Sequence, residues 1–317
     1  MSRIAVIGAG AWGTTLSILL AEKGHEVKLW VYEKELVPKL KETLPVTIDL
    51  TTDLAATAGS EYYLLVVPTQ FLRSVAKQLK KTIGRDAIIV SAGKGIEIAS
   101  LKVPLEIIGE EISNENLVAL SGPNLSAEIA KGLPAAAVAA AKDISLARAV
   151  QELMMLERFR VYTNDDPLGV QLGGALKNVI AIAAGIVDGL GLGNNAKAGI
   201  MIRGLAEITR LGVAMGAQAK TFAGLSGMGD LITTCASNLS RNHTVGEQIA
   251  KGKKLDEILA CMNEVAEGVP TAKAALALGE KYKIDLPLTR EVYRALYEGK
   301  SPYQAITDLM TRASKSE

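Results

Sequence analysis

Short apolar blocks separated by polar, helix-like stretches run through the first half of the chain. The fully apolar run 4–7 ends in a glycine, residues 14–22 have helical spacing, and Glu26–Trp30 has the composition of a second strand. This order predicts a β-α-β unit. Further strands are predicted at 63–67, 87–91, 117–120, 135–141 and 159–162, with a helix at 144–156. Strands that alternate with helices are typical of an open, mainly parallel sheet.

The pattern changes after a polar turn at 164–167. Residues 170–186, 197–215 and 256–262 have helical spacing, and no convincing strand alternation follows residue 165. The glycine-rich segment 185–193 is interpreted as a loop. We therefore predict two domains, an α/β domain at 1–165 with a mainly parallel sheet and an all-α domain at 166–317.

Composition narrows the class of protein. The 317 residues carry a net charge of +1 and are 49% hydrophobic and 22% charged, which is typical of a globular chain. Without a basic stripe, we expect neither a nucleic-acid nor an anionic-lipid partner. The most apolar stretch, 179–187, is too short to span a membrane, which takes about 18 uncharged residues; it predicts a buried helix and allows a homodimer.

The two cysteines, Cys235 and Cys261, are far apart and lack the spacing of a zinc site or a disulfide framework. The first apolar run is also too short for a secretory signal. We therefore predict free thiols, no metal and a cytoplasmic location.

A glycine motif follows the first predicted strand. Gly8, Gly10 and Gly13 have the spacing GxGxxG between a strand and a helix. In this context the first glycine permits a tight turn, the second lets the backbone approach a pyrophosphate, and the third lets the helix pack on the strand. The motif predicts that the first domain is a Rossmann-like, dinucleotide-binding domain.

The end of the second strand bears on the choice between NAD and NADP. Glu33 stands about 20 positions after the motif, where an acid usually binds the ribose hydroxyls; the alternative is a solvated surface carboxylate. Tyr32 cannot clamp a 2′-phosphate by charge, so the pair favours NAD slightly. Lys28 or Lys34 would be the groups that restore NADP binding.

Several polar residues stand where a ligand would be expected. Lys94, flanked by glycines at a predicted strand end, is interpreted as a contact to an anionic or hydroxyl group, with a surface lysine as the alternative. Lys177 opens an apolar stretch and is either a buried general base or a lysine that extends to solvent. Asp230 and the segment 240–242 follow, and the latter has side chains that suit a phosphate but are also common in turns.

Taken together, these segments resemble the bacterial-type NAD(P)-dependent glycerol-3-phosphate dehydrogenases. The matching stretches are GAGAWGTTL, GKGIE, SGPN, GVQLGGALKN, SGMGDLITTC, SRN and EGVPT. The resemblance implies an oxidoreductase that interconverts sn-glycerol 3-phosphate and dihydroxyacetone phosphate and supplies glycerol 3-phosphate for phospholipid synthesis. It also implies that Lys177 is the proton acceptor and that the partner molecule is a small phosphate substrate.

The resemblance, together with the glycine motif, assigns two sets of binding residues. Substrate contacts are assigned to Lys94, Gly122, Asn124, Lys177, Asp230, Ser240, Arg241 and Asn242. Cofactor contacts are assigned to Gly8, Gly10, Ala11, Trp12, Gly13, Tyr32, Glu33, Lys94, Ser126, Arg241, Val265 and Glu267.

The chain departs from the family pattern at a few positions. Tyr32 replaces the usual arginine or histidine before the acid, and the short segment 39–50 lacks the family's Asn and Tyr-Leu-Pro residues. Asn124 and Ser126 stand where the family has Ser or Thr and Ala. Two other functions stay open, namely a hydroxyacid or hydroxyacyl dehydrogenase of the same two-domain group and a catalytically inactive dinucleotide-binding regulator.

Overall fold

A computed structural model describes residues 1–262 and 264–314 of the chain. The chain divides into two compact units. The first contains Met1–Gly95 and Lys102–Gln171, and the second contains Ile96–Leu101 and the chain from Leu172 onward. The domain boundary at 165/166 stays a prediction.

The first unit is built on an eight-stranded sheet with the order β3-β2-β1-β4-β5-β6-β7-β8. Its strands are β1 (Arg3–Ile7), β2 (Glu26–Trp30), β3 (Ile48–Thr51), β4 (Tyr62–Leu65), β5 (Ile88–Ser91), β6 (Leu117–Ser121), β7 (Ala135–Ala140) and β8 (Phe159–Asn164). All neighbours are parallel except β6 and β7. The predicted α/β architecture with a mainly parallel sheet is confirmed, and β3 is a strand that the sequence pattern missed.

The carboxyl end of β1 lies at the point where the strand order reverses. Ile7 pairs with Trp30 of β2 on one side and with Leu65 of β4 on the other. In open α/β sheets, ligands bind in the crevice at such a switch point. The segment from Gly8 onward therefore begins where a ligand is expected.

Helices cover the sheet of the first unit. They are α1 (Ala11–Glu22), α2 (Val37–Thr43), α3 (Thr69–Leu79), α4 (Pro104–Glu111), α5 (Ser126–Ile129) and α6 (Ile144–Met154), with 3₁₀ turns at Lys34–Leu36 and Leu54–Thr57. Leu16 and Leu20 of α1 join Val6 and Leu29 of the strands in one buried core. This burial of apolar side chains holds the start of α1 at the end of β1.

Within the described ranges 165–262 and 264–314, the chain after Asn164 consists of helices joined by turns and loops and contains no strand, as predicted. Its helices are α7 (Pro167–Gly189), α8 (Gly193–Ala214), α9 (Ala219–Phe222), α10 (Asp230–Ala236), α11 (Arg241–Ala250), α12 (Leu255–Ala260), α13 (Gly268–Tyr282), α14 (Pro287–Tyr297) and α15 (Pro302–Met310), with a π turn at Leu225–Gly229. The interpretation of 185–193 as a loop is wrong for 185–189, because α7 continues to Gly189, and holds only for the turn at 190–192 before α8.

Helix α7 belongs to the second unit from Leu172 onward. Among the described residues, α7 alone is long and apolar enough to cross a membrane, yet its most apolar window is entirely buried inside the structure. Val179, Ile180 and Ile182 are each at most 1% exposed. The stretch 179–187 is therefore a core element, and the expectation that it offers a face to a partner subunit is wrong.

Glycines allow α7 and α11 to touch at the backbone. A Cβ on Gly185 would lie 2.0 Å from the His243 carbonyl oxygen, and one on Gly246 would lie 2.0 Å from the Ile182 carbonyl oxygen. Real Cβ atoms do not approach so closely, so only glycine permits this crossing. The contact brings the first turn of α11 beside the C-terminal half of α7.

Candidate active site

The three glycines of the first turn have different surroundings. Gly8 has φ +116°, and a Cβ there would lie 2.7 Å from the Val66 carbonyl oxygen. A Cβ on Gly13 would lie 1.9 Å from the Gly8 carbonyl oxygen, whereas one on Gly10 would meet nothing within 4 Å. Gly8 and Gly13 are thus required by the fold, while Gly10 faces open space where a ligand can approach the backbone.

The start of α1 offers backbone N–H groups to an anion. Gly10 precedes the helix without a side-chain cap, and the first turn has no acidic residue. Trp12 of that turn is half-buried and packs on Phe159 with ring centroids 6.5 Å apart. Because the first N–H groups of a helix lack intrahelical partners and carry positive partial charge, this turn fits a pyrophosphate.

The residues after β2 lie at the same edge of the sheet as the glycine turn, because Gly8 N donates to the Trp30 carbonyl oxygen at 3.2 Å. Tyr32 is 73% exposed and its ring lies 5.9 Å from that of Trp30, and Glu33 is exposed as well. Both side chains are accessible to the ribose end of a nucleotide.

Lys28 has other partners. Its Nζ lies 3.2 Å from Asp49 Oδ2 on β3 and donates to the Ala56 carbonyl oxygen at 2.9 Å. These contacts engage the ammonium group, so the geometry does not support Lys28 as a clamp for a 2′-phosphate.

Three of the expected substrate residues in the first unit come together. Lys94 Nζ donates to the Gly122 carbonyl oxygen at 2.7 Å, and Gly122 has φ +137°. Asn124 Nδ2 donates to the Ala136 carbonyl oxygen at 3.0 Å, while its Oδ1 is buried without a hydrogen-bond partner among the described residues. Ser126 begins α5 directly afterwards and is half-buried. A lysine and an unsatisfied amide oxygen thus lie at the carboxyl ends of β5 and β6.

Lys177 lies inside the second unit and does not extend to solvent. Its residue is 6% exposed, and Nζ lies 2.7 Å from Asp230 Oδ1. Nζ also donates to Thr234 Oγ1 at 2.5 Å, and Thr234 Oγ1 in turn donates to the Asp230 carbonyl oxygen at 2.6 Å. The alternative of a snorkelling surface lysine is therefore wrong, and a buried, paired ammonium group stands at this position.

Cys235 follows Thr234 and lies close to this ion pair. Burial raises the pKa of its thiol to about 12, although the charge of Lys177 acts to lower it. The thiol therefore stays protonated at neutral pH and is not a nucleophile. Both cysteines are free thiols, with Cys261 exposed.

A chain of amide groups connects α7, α11 and α13. Asn242 Nδ2 donates to Asn178 Oδ1 at 2.9 Å, and Gly268 N donates to Asn242 Oδ1 at 2.8 Å. Asn178 Nδ2 donates to the Gly174 carbonyl oxygen at 3.3 Å. Asn242 is thereby held against Asn178, the residue that follows Lys177 on α7.

The start of α11 presents a guanidinium group at the surface. Ser240 Oγ accepts a hydrogen bond from His243 N at 3.3 Å and so caps the helix. Arg241 Nη1 donates to the Val265 carbonyl oxygen at 3.0 Å and lies 3.0 Å from Glu264 Oε2. Arg241 and Val265, both expected cofactor contacts, therefore touch each other. Glu267 is half-buried directly before α13.

Sequence reasoning missed Thr234 and left Asn178 without a role. Thr234 stands one helical turn after Asp230, and residues four apart on a helix share a face, so that spacing was the signal that could have identified it. Among the described residues, no group of three or more His, Cys, Asp or Glu side chains could hold a metal ion.

Comparison with known proteins places these features in a family context. The family model described as the NAD-dependent glycerol-3-phosphate dehydrogenase N-terminus matches residues 3–147, and the model of the C-terminus matches 166–307. A relative named glycerol-3-phosphate dehydrogenase, NAD(P)+, from Geobacter sp. (strain M21) is 51% identical over 99% of this chain and 98% of its own. A relative of the same name from Thermoanaerobacter sp. (strain X514) is 45% identical over 99% and 98%.

Solved structures agree with this result. The crystal structure of glycerol-3-phosphate dehydrogenase from Coxiella burnetii has a TM-score of 0.93 and 36% identity, covering 98% of this chain and 99% of its own. A complex of D-mandelate dehydrogenase with NADH has a TM-score of 0.63 at 16% identity and covers 93% and 98% of the two chains, which shows a shared fold alone.

Proposed function

The chain belongs to the NAD-dependent glycerol-3-phosphate dehydrogenase family, and on this premise we propose how its residues interconvert sn-glycerol 3-phosphate and dihydroxyacetone phosphate. The reaction is an oxidoreduction that uses NAD or NADP. The observation that carries the residue assignment is the buried pair of Lys177 and Asp230, with 2.7 Å between Nζ and Oδ1. The product of the reducing direction, glycerol 3-phosphate, supplies phospholipid synthesis.

Lys177 is the proton-exchanging group of this proposal. Reduction of a ketone requires a proton on the carbonyl oxygen, and the Lys177 ammonium donates it; in the oxidation of the alcohol the neutral amine accepts it. Asp230 and Thr234 hold Nζ in one orientation through their oxygens at 2.7 and 2.5 Å. A lysine positioned in this way spends little conformational freedom on reaching the substrate oxygen.

The phosphate of the substrate is bound by a separate set of groups. We assign it to Ser240, Arg241 and Asn242, because hydroxyl, guanidinium and amide donors at a helix start suit an oxyanion. Lys94, Gly122 and Asn124 of the first unit are assigned to further substrate contacts, and the unsatisfied Asn124 Oδ1 supports a polar ligand there.

The dinucleotide is held by the residues around the first glycine turn. The backbone of Gly8, Gly10, Ala11, Trp12 and Gly13 receives the pyrophosphate, supported by the open space at Gly10. The bound nucleotide supplies or accepts the hydride. Tyr32 and Glu33 take the ribose, which favours NAD over NADP because neither side chain is a cation. Further cofactor contacts are assigned to Lys94, Ser126, Arg241, Val265 and Glu267.

Steady-state turnover of dihydroxyacetone phosphate with NADH and with NADPH tests the reaction and the cofactor preference together.

Lys177→Ala is expected to lower kcat at least about a hundredfold, the usual contribution of a general acid, while NADH binding is unchanged. The substitution leaves Asp230 buried without its cation, so the melting temperature is measured in parallel. Lys220→Ala, at an exposed lysine, is the control and is expected to keep full activity. A fully active Lys177→Ala variant would contradict the assignment of the proton donor.

Assembly and location are also part of this proposal. A cytoplasmic location is supported by the two free cysteines. A homodimer cannot use the buried stretch 179–187, but the apolar side chains of Ile202 and Val213 on α8 are 53% and 47% exposed and are accessible to a partner subunit. Light scattering during size-exclusion chromatography distinguishes a dimer from a monomer. We also retain the domain ranges 1–165 and 166–317.

A further inference from the structure

A buried cluster of titratable side chains lies behind the start of α11. His243 is 1% exposed, and its Nε2 lies 2.7 Å from Asp188 Oδ2 near the end of α7. The same oxygen of Asp188 lies 2.6 Å from Nζ of Lys197 on α8. One carboxylate oxygen therefore connects three helices, and none of the roles proposed above uses these three residues.

The protonation of this cluster follows from its hydrogen bonds. Partial burial pushes the pKa of Asp188 up, but the hydrogen bonds from Lys197 and His243 outweigh it and hold the pKa below its usual value. Asp188 is thus ionised at neutral pH and can only accept hydrogen bonds. The short contact with His243 requires an Nε2–H donor, so it is a directed hydrogen bond to a charged group.

His243 stands next to residues assigned to substrate binding. Asn242 binds Asn178 of α7, and His243 binds Asp188 about three turns further along the same helix, or ~15 Å. Consecutive residues of α11 are thereby tied to two distant points of α7. The backbone contacts at Gly185, Gly189 and Gly246 set how close the helices lie, while these two side-chain bonds hold the first turn of α11.

We propose that His243 is a positioning residue, which through Asp188 holds the first turn of α11 in the orientation that binds the substrate phosphate. It touches neither the substrate nor the cofactor in this scheme. The inference rests on the proposed function, because that function assigns the phosphate to residues 240–242.

The test compares three substitutions at His243 in the full chain. His243→Leu removes the hydrogen bond and is expected to raise the KM for dihydroxyacetone phosphate about tenfold. The change in kcat should be smaller, because the first turn of α11 is assigned to phosphate binding and Lys177 to proton transfer. His243→Gln places an amide N–H near the position of Nε2 and is expected to restore most of the KM. His243→Asn is too short to reach Asp188 and is expected to behave like His243→Leu.

Val245→Ala provides the matched control on the same helix. Val245 is completely buried but makes no polar contact through its side chain, so this variant loses packing alone. Its expected result is a lower melting temperature with an unchanged KM. If His243→Leu and His243→Asn follow the same pattern, a lower melting temperature with an unchanged KM, His243 is merely structural and the proposal is overturned. Asp188→Leu, which removes the acceptor oxygen, gives a second variant should His243→Leu fail to fold, and a KM equal to that of the wild type would also overturn the proposal.

Calorimetric titration with glycerol 3-phosphate separates this inference from the proposed reaction. In one outcome the wild type does not turn over dihydroxyacetone phosphate, but His243→Leu binds glycerol 3-phosphate more weakly than the wild type does. This result would contradict the proposed reaction and support the positioning role. In the other outcome the wild type turns over dihydroxyacetone phosphate, and the wild type and His243→Leu bind glycerol 3-phosphate equally well. This result would support the proposed reaction and overturn the positioning role.

Discussion

Single residues of the first glycine turn serve two different purposes. A Cβ on Gly8 or Gly13 would lie only 2.7 or 1.9 Å from a backbone oxygen, so these residues are glycines for the sake of the fold. Gly10 has ordinary extended backbone angles, φ −69° and ψ 178°, and nothing within 4 Å of a Cβ. The fold therefore does not require glycine at this position, which is consistent with the proposed approach of the pyrophosphate to its backbone.

Gly10→Ala is expected to separate binding from stability. The melting temperature should stay close to that of the wild type, because alanine adopts this backbone conformation without strain and meets no atom. The KM for NADH should rise about tenfold or more, since the new methyl group occupies the approach of the pyrophosphate.

Substitutions at two further glycines serve as comparisons for the melting temperature and the KM of Gly10→Ala. Gly84→Ala, also with open space around its Cβ, is expected to change neither quantity. Gly13→Ala is expected to lower the melting temperature severely. A Gly10→Ala variant with unchanged KM would show that the nucleotide does not approach this backbone.

At the scale of elements, the crossing of α7 and α11 decides the geometry of the second unit. Gly246→Ala would place a methyl group 2.0 Å from the Ile182 carbonyl oxygen, so the helices must separate. We expect a loss of at least the ~1–3 kcal/mol that is typical of overpacking, seen in urea denaturation.

Gly199→Ala is the matched control for this crossing. Gly199 also lies inside a helix, α8, but nothing lies within 4 Å of its Cβ. This substitution is expected to stabilise the protein by about 0.5–1 kcal/mol, since alanine restricts the unfolded chain and favours the helix. Equal effects of the two substitutions would rule out the close crossing.

Helices and strands were predicted correctly from the sequence where the apolar runs were long. The prediction failed where the structure of a segment depends on its position in the fold. Strand β3 was missed because it is an edge strand in which only Ile48 is buried. The segment 185–193 was interpreted as a loop because glycines usually interrupt helices. Gly185 and Gly189 instead stand inside α7, where they make room for α11. Local propensity cannot reveal a neighbour from a distant part of the sequence.

At the scale of the whole molecule, the stability of the chain depends on pH through a few carboxylates. Burial raises the pKa of Glu207, even though its oxygens accept from Leu288 N at 2.6 Å and Thr289 N at 3.1 Å at the start of α14. A carboxyl group with a raised pKa stabilises the folded state below its unfolded pKa. That stabilisation is lost as the pH rises through the folded pKa.

Glu207→Gln tests this dependence. The amide leaves one N–H of α14 without an acceptor, so the variant should lose about 1–3 kcal/mol of unfolding free energy. Because the amide does not titrate, the difference from the wild type should be largest at acidic pH and shrink as the pH rises. Urea denaturation at several pH values measures it, and a difference that grows with pH would contradict the raised pKa.

The candidate site shows a different limit of sequence reasoning. Lys177 and Asp230 were expected from the family resemblance, and the structure pairs them directly. The roles of Asn178 and His243 depend on which residues of α7 contact α11. These contacts join residues of α7, α8 and α11, which are separate segments of the sequence. Residue types at positions that match the family motifs predict which groups carry the chemistry. The contacts that hold those groups in place can be identified only once the fold is known.

The apolar character of α7 also bears on how the chain is synthesised. α7 leaves the ribosome before α8, α11 and α13, at about 5–20 residues per second. Until those helices follow, a segment apolar enough for a lipid bilayer lacks the later helices that pack on it in the folded chain. We therefore expect the nascent chain to expose α7 to chaperones during that interval, and fragments that end before α11 to aggregate rather than accumulate as soluble protein.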